Sequence, residues 1–206
     1  MPAAFPSVNS SASRLRVTAV TPLAVGSDVK RLIPLVLTTL FLALPAAAEL
    51  RLKVDLGERR LIVLENGNEI ERFAVAVGTK QYPTPTGAFR IRKVVWNPPW
   101  KPPDSEWAKG KPPRPPGHPE NPMKAVKIFF SEPDYYIHGT DAEDSLGRAE
   151  SHGCLRMSVD DATRLAQLVM AHGGKPMPEP WYRRIFRRRT TKVVYLKSPV
   201  AIEIRA

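Results

Sequence analysis

Leu50-Arg51-Leu52-Lys53-Val54-Asp55-Leu56 alternates strictly between apolar and polar side chains, the period of two that marks a half-buried strand. Working outward, Gly57-Glu58 can turn it into a second strand over residues 59–65. Asn66-Gly67 is a two-residue hairpin signal. It leads into residues 69–77, where Phe73, Val75 and Val77 share one face. Gly78 ends that strand, Thr84-Pro85-Thr86-Gly87 makes a turn, and residues 88–95 read as the next strand. Residues 125–130, 135–138, 192–196 and 200–204 complete a set of about eight. Short turns between the early strands indicate an antiparallel meander. One helix is expected. Ser158-Val159-Asp160-Asp161 resembles a capping box with an acidic first turn, Ala162, Leu165, Ala166, Val169 and Met170 keep helical spacing, and Gly173-Gly174 stops it. The expected fold is mainly β.

Residues 96–122 break the pattern. Pro98-Pro99, Pro102-Pro103, Pro112-Pro113 and Pro115-Pro116 remove backbone donors, so this stretch is no sheet strand. It is too long for an ordinary connector, and Trp96, Trp100 and Trp107 argue against simple disorder. It reads as a lid-like loop whose aromatic residues pack over a site or face a ligand. A polyproline spacer is the alternative. His118, within it, has no neighbour that supplies a site.

Ahead of the first strand lies an expected leader. Leu32 through Leu44 is an apolar run, preceded by Lys30 and Arg31 and followed by Ala46-Ala47-Ala48. A basic flank, a short apolar stretch and an Ala-x-Ala end describe a secretory signal peptide over residues 1–48. A membrane span needs about 20 apolar residues; an uncleaved anchor is the alternative. Residues 1–28 lack pattern, and a start near Val29 gives a leader of usual length. Export would place the protein in the periplasm or cell envelope.

The 206 residues carry a formal net charge of +11. Residues 1–48 hold four basic residues and one acid, which leaves 27 Lys+Arg against 19 Asp+Glu in residues 49–206, a net +8. That stretch is long enough for one domain with a core of its own. A positive surface favours an anionic partner, and for an exported protein that partner is the envelope, not nucleic acid. Arg183, Arg184, Arg187, Arg188 and Arg189 cluster around Ile185-Phe186. They form either a solvated face or an electrostatic landing site for an anionic envelope surface. There is no internal repeat and no separate wall-binding module, and nothing sets an oligomeric state.

The chemistry concentrates in His138-Gly139-Thr140, a ten-residue spacer, and Ser151-His152-Gly153-Cys154-Leu155-Arg156-Met157. Cys154 is the only cysteine, so it cannot form an internal disulfide, and a lone thiol in an exported protein calls for an explanation. Imidazole is the base whose pKa suits a thiol near neutral pH. His138 can approach Cys154 from a neighbouring strand. His152 is the rival base, although within a tight turn it more readily shapes the turn and contacts substrate. Main-chain N–H groups near Gly153 and Cys154 can converge as an oxyanion site requires. Ser151 supports the turn through its hydroxyl. Arg156 can hold a substrate carboxylate or make a structural ion pair. A helix starting just after the turn would lower the thiol pKa if the two stay close. His138, His152 and Cys154 match zinc by ligand type but lack a clear fourth ligand; no metal or cofactor is expected.

This segment resembles the signature of the YkuD-type L,D-transpeptidase family of bacterial cell-wall enzymes. Gly147 occupies the spacer glycine position, and Thr84-Pro85-Thr86-Gly87-Ala88-Phe89 and Asn121-Pro122-Met123 look like further family landmarks. Met123-Lys124 departs from the Leu-Gly that many relatives carry. The resemblance covers roughly residues 49–206. It implies a β-sandwich with the Cys154 turn at one edge of the cleft, and a nucleophilic Cys154. It also implies a base, His138, oriented by the main-chain carbonyl of Gly139, and peptidoglycan stem peptides as substrate. The donor would lose D-alanine to a thioester. The acceptor stays open: an amine of a second stem, water as in an L,D-carboxypeptidase, or a protein lysine. Cleavage of cross-links on the same site is also open. A non-catalytic wall-binding domain is the alternative of a different class.

Overall fold

The alternation at Leu50 becomes β1 (Leu50–Asp55), with Leu52 and Val54 buried and Arg51 and Lys53 exposed. The computed structural model describes residues 48–206; apart from Ala48, the expected leader lies outside the described residues. β1 pairs antiparallel with β2 (Arg60–Glu65), and β2 with β3 (Asn68–Ala74). Asn66 and Gly67 both have positive φ, 51° and 85°, which matches the strand twist at a two-residue hairpin. Two further antiparallel pairs join β5 (Gly87–Trp96) to β6 (Lys124–Ser131) and β6 to β7 (Tyr135–Thr140).

The sheet is mixed rather than purely antiparallel. β10 (Lys192–Arg205) lies between β1 and β5, parallel to the first and antiparallel to the second. β9 (Leu155–Ser158) pairs parallel with β7. The eight strands follow the order β3-β2-β1-β10-β5-β6-β7-β9. The two closing strands expected from sequence are one strand, irregular between Tyr195 and Val200. Pro199 sits in that gap, where its missing N–H costs no ladder bond. Lys197 and Ser198 instead donate to Gly173 O at 2.8 and 3.2 Å, tying the irregularity to the end of the main helix.

The strand expected over residues 69–77 also divides. After Ala74 the chain leaves β2, and Ala76 exchanges backbone hydrogen bonds with Arg156 at 2.9 and 3.0 Å. β4 (Val77–Gly78) then pairs with β8 (Ala149–Ser151) as a second, two-stranded sheet. An antiparallel β-sandwich is thus right in outline.

α1 (Val159–His172) begins where the capping signal predicts: Ser158 Oγ accepts from Asp161 N–H at 3.1 Å. Ala162, Leu165, Ala166, Val169 and Met170 are fully buried against the sheet; burying a Leu, Val or Met side chain stabilises by about 1.5–3 kcal/mol. A second helix, α2 (Glu179–Arg188), was not expected. Its signal was Trp181, Tyr182, Ile185 and Phe186 at helical spacing, masked by the intervening arginines. Among the described residues no helix is long and apolar enough to cross a membrane.

The Pro-rich segment folds at both ends of its base. Trp100 and Arg114 exchange backbone hydrogen bonds, each 2.8 Å. Asn121, only 2% exposed, donates through Nδ2 to Pro98 O (2.9 Å) and Pro115 O (3.1 Å), and its Oδ1 accepts from Met123 N–H at 2.9 Å. Asn121→Ala strips these partners from the backbone, a change that costs about 1–3 kcal/mol when the groups stay buried. Urea unfolding is expected to show a loss of that size; a loss below about 0.5 kcal/mol would mean water replaces the amide and the staple is dispensable.

Candidate active site

Register decides what the site contains. Lys127 on β6 pairs with His138 on β7, and His138 pairs with Arg156 on β9. Side chains of paired residues share a face, so these three form a row. In the next row Phe129 pairs with Tyr136. Cys154, one step before the Ile137–Leu155 pair, lies at the end of that row. The opposite face carries Ile128, Ile137 and Leu155 into the core. The row residues His138, Lys127, Tyr136, Cys154 and Arg156 line one cleft of about 1460 Å³.

His138 is 3% exposed. Its Nδ1 lies 2.9 Å from Gly139 O. A carbonyl only accepts, so Nδ1 carries the proton and Nε2 is left as the basic nitrogen. Gly139 is required by close approach: a Cβ there would stand 2.8 Å from Lys124 O. The Cys154 turn is held from within. Ser151, also buried, donates from Oγ to Cys154 O at 2.5 Å and accepts from Gly153 N–H at 3.1 Å. Gly153 has φ 105°, and a Cβ on it would meet the Tyr135 ring at 2.9 Å. Its N–H donates to Ser151 Oγ, so the Ser151 hydroxyl bridges both sides of the turn. The Cys154 thiol donates to Asp134 O at 3.3 Å, and His138 is not among its hydrogen-bond partners.

The expected helix-dipole assistance is corrected. β9 intervenes between Cys154 and the N-terminus of α1; four strand residues span roughly 13 Å, more than the one helical turn over which that field acts. Other groups act on the sulfur. Burial pushes the Cys154 thiol up, and hydrogen bonds from the Tyr136 backbone N–H and hydroxyl, with the charges of Lys127 and Arg156, pull it back. Burial drives His138 down to about 3, with Arg156 and Lys127 adding to the effect and the Gly139 carbonyl opposing it. Burial likewise lowers Lys127 to about 8. The resting pair is a neutral thiol and a neutral imidazole.

His152 is exposed and stands at the rim of the same cleft. Its ring stacks on Trp107, centroids 4.0 Å apart and 17° from parallel, with Tyr82 at 4.9 Å on the tilt. Burial and the charges of Arg156 and Lys111 lower its pKa. Of the three tryptophans expected over a site, Trp100 and Trp107 line the cleft, and Trp107 meets His152. Trp96 lies in the core, 4.8 Å from Tyr182, and its Nε1–H points at Met170 Sδ. Trp100 is buried at the base of the loop. Arg156 makes no salt bridge to a described carboxylate, which leaves its guanidinium available to the cleft. Among the described residues no group of three or more His, Cys, Asp or Glu is placed to hold a metal ion. Sequence reasoning missed Lys127 and Tyr136. Tyr136 adjoins the His138 motif, but nothing local marks Lys127.

A half-buried thiol just ahead of β9 and an oriented, buried imidazole on the parallel neighbour β7, opening on one cleft, define a cysteine–histidine site on a mixed β-sheet. Residues 49–201 match the YkuD family, the L,D-transpeptidase catalytic domain, and the chain belongs to that family. It is 29% identical over 125 residues to YkuD of Bacillus subtilis (strain 168), covering 61% of this chain and 63% of that protein. It is 30% identical over 128 residues to ErfK/SrfK of Escherichia coli (strain K12), covering 58% of this chain and 41% of that protein. The chain thus spans less than two thirds of the length of these relatives. Among solved structures, the L,D-transpeptidase from Mycobacterium smegmatis aligns over 77% of this chain and 59% of its own, with TM-score 0.47 and 20% identity.

The buried neutral imidazole has a measurable signature. His138 binds a proton in the unfolded chain near 6.5 but in the folded chain only near 3. Its folded pKa is depressed, so the unfolded state binds more protons between these values. Stability is therefore fully present above 6.5 and falls as pH drops toward 3. At 1.36 kcal/mol per unit the loss reaches about 2 kcal/mol by pH 5. Urea unfolding at pH 7 and pH 5 is expected to show this component in the parent and not in His138→Gln. Equal pH dependence in both would mean that the imidazole is hydrated.

Proposed function

We propose that the protein is an exported cysteine L,D-transpeptidase acting on peptidoglycan stem peptides. The observation that carries this is His138: its Nδ1 is tied to Gly139 O while its row neighbour Arg156 and the Cys154 turn share its cleft, in a chain of the L,D-transpeptidase family.

In the mechanism, rotation of the Cys154 side chain away from Asp134 O brings Sγ–H to His138 Nε2. Catalytic hydrogen bonds in a free enzyme are often unformed until substrate is bound. Proton transfer turns two neutral groups into an imidazolium–thiolate pair, each charge stabilising the other in a site of low polarity. The thiolate attacks the carbonyl carbon of the residue preceding D-alanine in the donor stem. The Sγ–C bond forms, the carbonyl oxygen becomes an oxyanion held by Cys154 N–H, and the C–N bond to D-alanine breaks as His138 returns its proton to the leaving amine. An acceptor amine then loses its proton to His138 and displaces the thiol from the thioester. Arg156 holds a stem carboxylate.

The segment over residues 96–122 acts as a lid, with Trp107 on His152 forming its contact with the cleft. Closing it keeps water from the thioester. The arginines of α2, Arg183, Arg184, Arg187 and Arg188, with Arg189 beyond, are exposed, and none forms a salt bridge among the described residues. They offer an anionic envelope surface a landing site.

The deciding experiment incubates the protein with purified muropeptides and identifies products by mass. A cross-linked dimer with loss of D-alanine is expected, Cys154→Ala reduces turnover to background, and His138→Ala slows it by roughly a hundredfold or more. Near-normal turnover in Cys154→Ala would refute covalent catalysis. Tripeptide alone would identify a carboxypeptidase, and absence of any product beside an unreactive thiol would point to a binding domain. In the same reaction Trp107→Ala is expected to lower the ratio of dimer to trimmed tripeptide; an unchanged ratio and rate would reduce the segment to a spacer.

A further inference from the structure

Two side chains at the sulfur have no part in that mechanism. Tyr136 stands on β7 beside the Cys154 turn, one step before the Ile137–Leu155 pair, and lines the same cleft as Cys154; its hydroxyl and backbone N–H act to lower the thiol pKa. Lys127 stands one strand further in. Its Nζ lies 4.4 Å from the centroid of the Tyr136 ring, its strand position pairs with His138, and its charge acts directly on Cys154. It makes no salt bridge with any described carboxylate, whereas its neighbours Lys93 and Lys124 pair with Glu132 and Asp141. A half-buried ammonium without a carboxylate is costly unless another anion or a π-face compensates. The ring of Tyr136 supplies one part, and an anion at Cys154 would supply the rest.

We propose that Tyr136 and Lys127 form a thiolate-holding device separate from His138: the Tyr136 hydroxyl donates to Sγ⁻ and the Lys127 ammonium, seated on the same ring, supplies the counter-charge. The inference rests on Cys154 being the nucleophile. In this division of work His138 moves the proton, while Tyr136 is a catalytic donor to the reacting atom and Lys127 sets the sulfur's ionisation from behind. The proton that leaves Sγ goes to His138 Nε2, and neither Tyr136 nor Lys127 changes protonation in the step. Burial holds the Tyr136 phenol well above its ordinary range, so it stays a donor at every working pH.

The other charged and titratable groups facing the sulfur are Arg156 on β9, His138 on β7, Asp134 ahead of β7 and His152 in the Cys154 turn. Behind Lys127 lies Lys93, which opposes its charge, and over His152 lies Lys111 of the lid. Arg156 shares the counter-charge, so removing Lys127 weakens the thiolate without abolishing it.

The test is the pH dependence of Cys154 alkylation by iodoacetamide, a neutral reagent that needs no murein. One pKa unit changes the thiolate fraction tenfold below the pKa. Lys127→Met, close in length and uncharged, is expected to slow alkylation at pH 7 about tenfold, and Lys127→Arg to restore it to within about threefold. Tyr136→Phe, which keeps the ring and loses the donor, is expected to slow it about threefold or more. The double variant should fall short of the product of the two, as for groups acting as a unit. Because Lys127 itself loses its proton near 8, the parent profile should show two steps and Lys127→Met one. Thermal melting of each variant separates a lost fold from a lost charge. Superimposable profiles for the parent and a folded Lys127→Met would overturn the proposal. If Lys127→Met does not fold, an unchanged profile in Tyr136→Phe does so. A shifted profile in a protein that makes no muropeptide product would leave this device standing and sink the functional reading instead.

Discussion

The parallel pairing of β7 with β9 is the constraint on which the site depends. Parallel neighbours cannot be joined by a tight hairpin; they need a crossover of a dozen or more residues. The stretch from Asp141 to Cys154 is that crossover, and this is what the ten-residue spacer and the Ser-His-Gly-Cys turn are for. It runs out through a 3-10 turn at Glu143–Ser145, gains support from β4 through β8, and returns to the sheet edge at the cysteine. Cys154 thus stands at the end of the crossover, held by Ser151, while His138 stands within the sheet. Loop geometry supplies access and strand geometry supplies position.

Burial sets the electrostatic character of the cleft. It acts against every charge, lifting the thiol and lowering His138, Lys127 and Arg156 together. Cys154 and His138 so placed rest uncharged and form their charges as a pair, when the sulfur's proton moves. The cations around it make the thiolate side of that exchange the easier one. The Nδ1–Gly139 contact fixes the tautomer through a backbone carbonyl, which fits a buried site, since a carboxylate in that place would add a charge to desolvate.

The proline pairs and the tryptophans of the long loop divide their work. Prolines leave few backbone donors to satisfy, so the segment can leave the sheet without unpaired N–H groups. Asn121 and the Trp100–Arg114 bridge close its base, Trp96 anchors its start among the helices, and Trp107 alone extends to His152. The segment is thus a stiff arm with a fixed base and one aromatic contact to the Cys154 turn.

What the sequence determined by itself was everything written in local periodicity. The alternation at Leu50–Asp55, the Asn66-Gly67 hairpin, the Ser158 cap with its apolar stripe, and the compact motif around Cys154 were all legible, because each depends on residues within one turn or one strand of each other. The basic run hid α2, since Arg183, Arg184, Arg187 and Arg188 dilute the stripe of Trp181, Tyr182, Ile185 and Phe186 that packs on Trp96. The place of β10 between β1 and β5 was not legible, because strand order is set by which faces can bury together and not by the strand's own pattern. The same holds for the site. Sequence put His138 and Cys154 in one motif, but Lys127 and Tyr136 reached the sulfur through the register of β6 on β7 and β7 on β9, and Trp107 met His152 through the folding of a loop. Contacts made across strands leave no period along the chain, so only the tertiary structure could decide them.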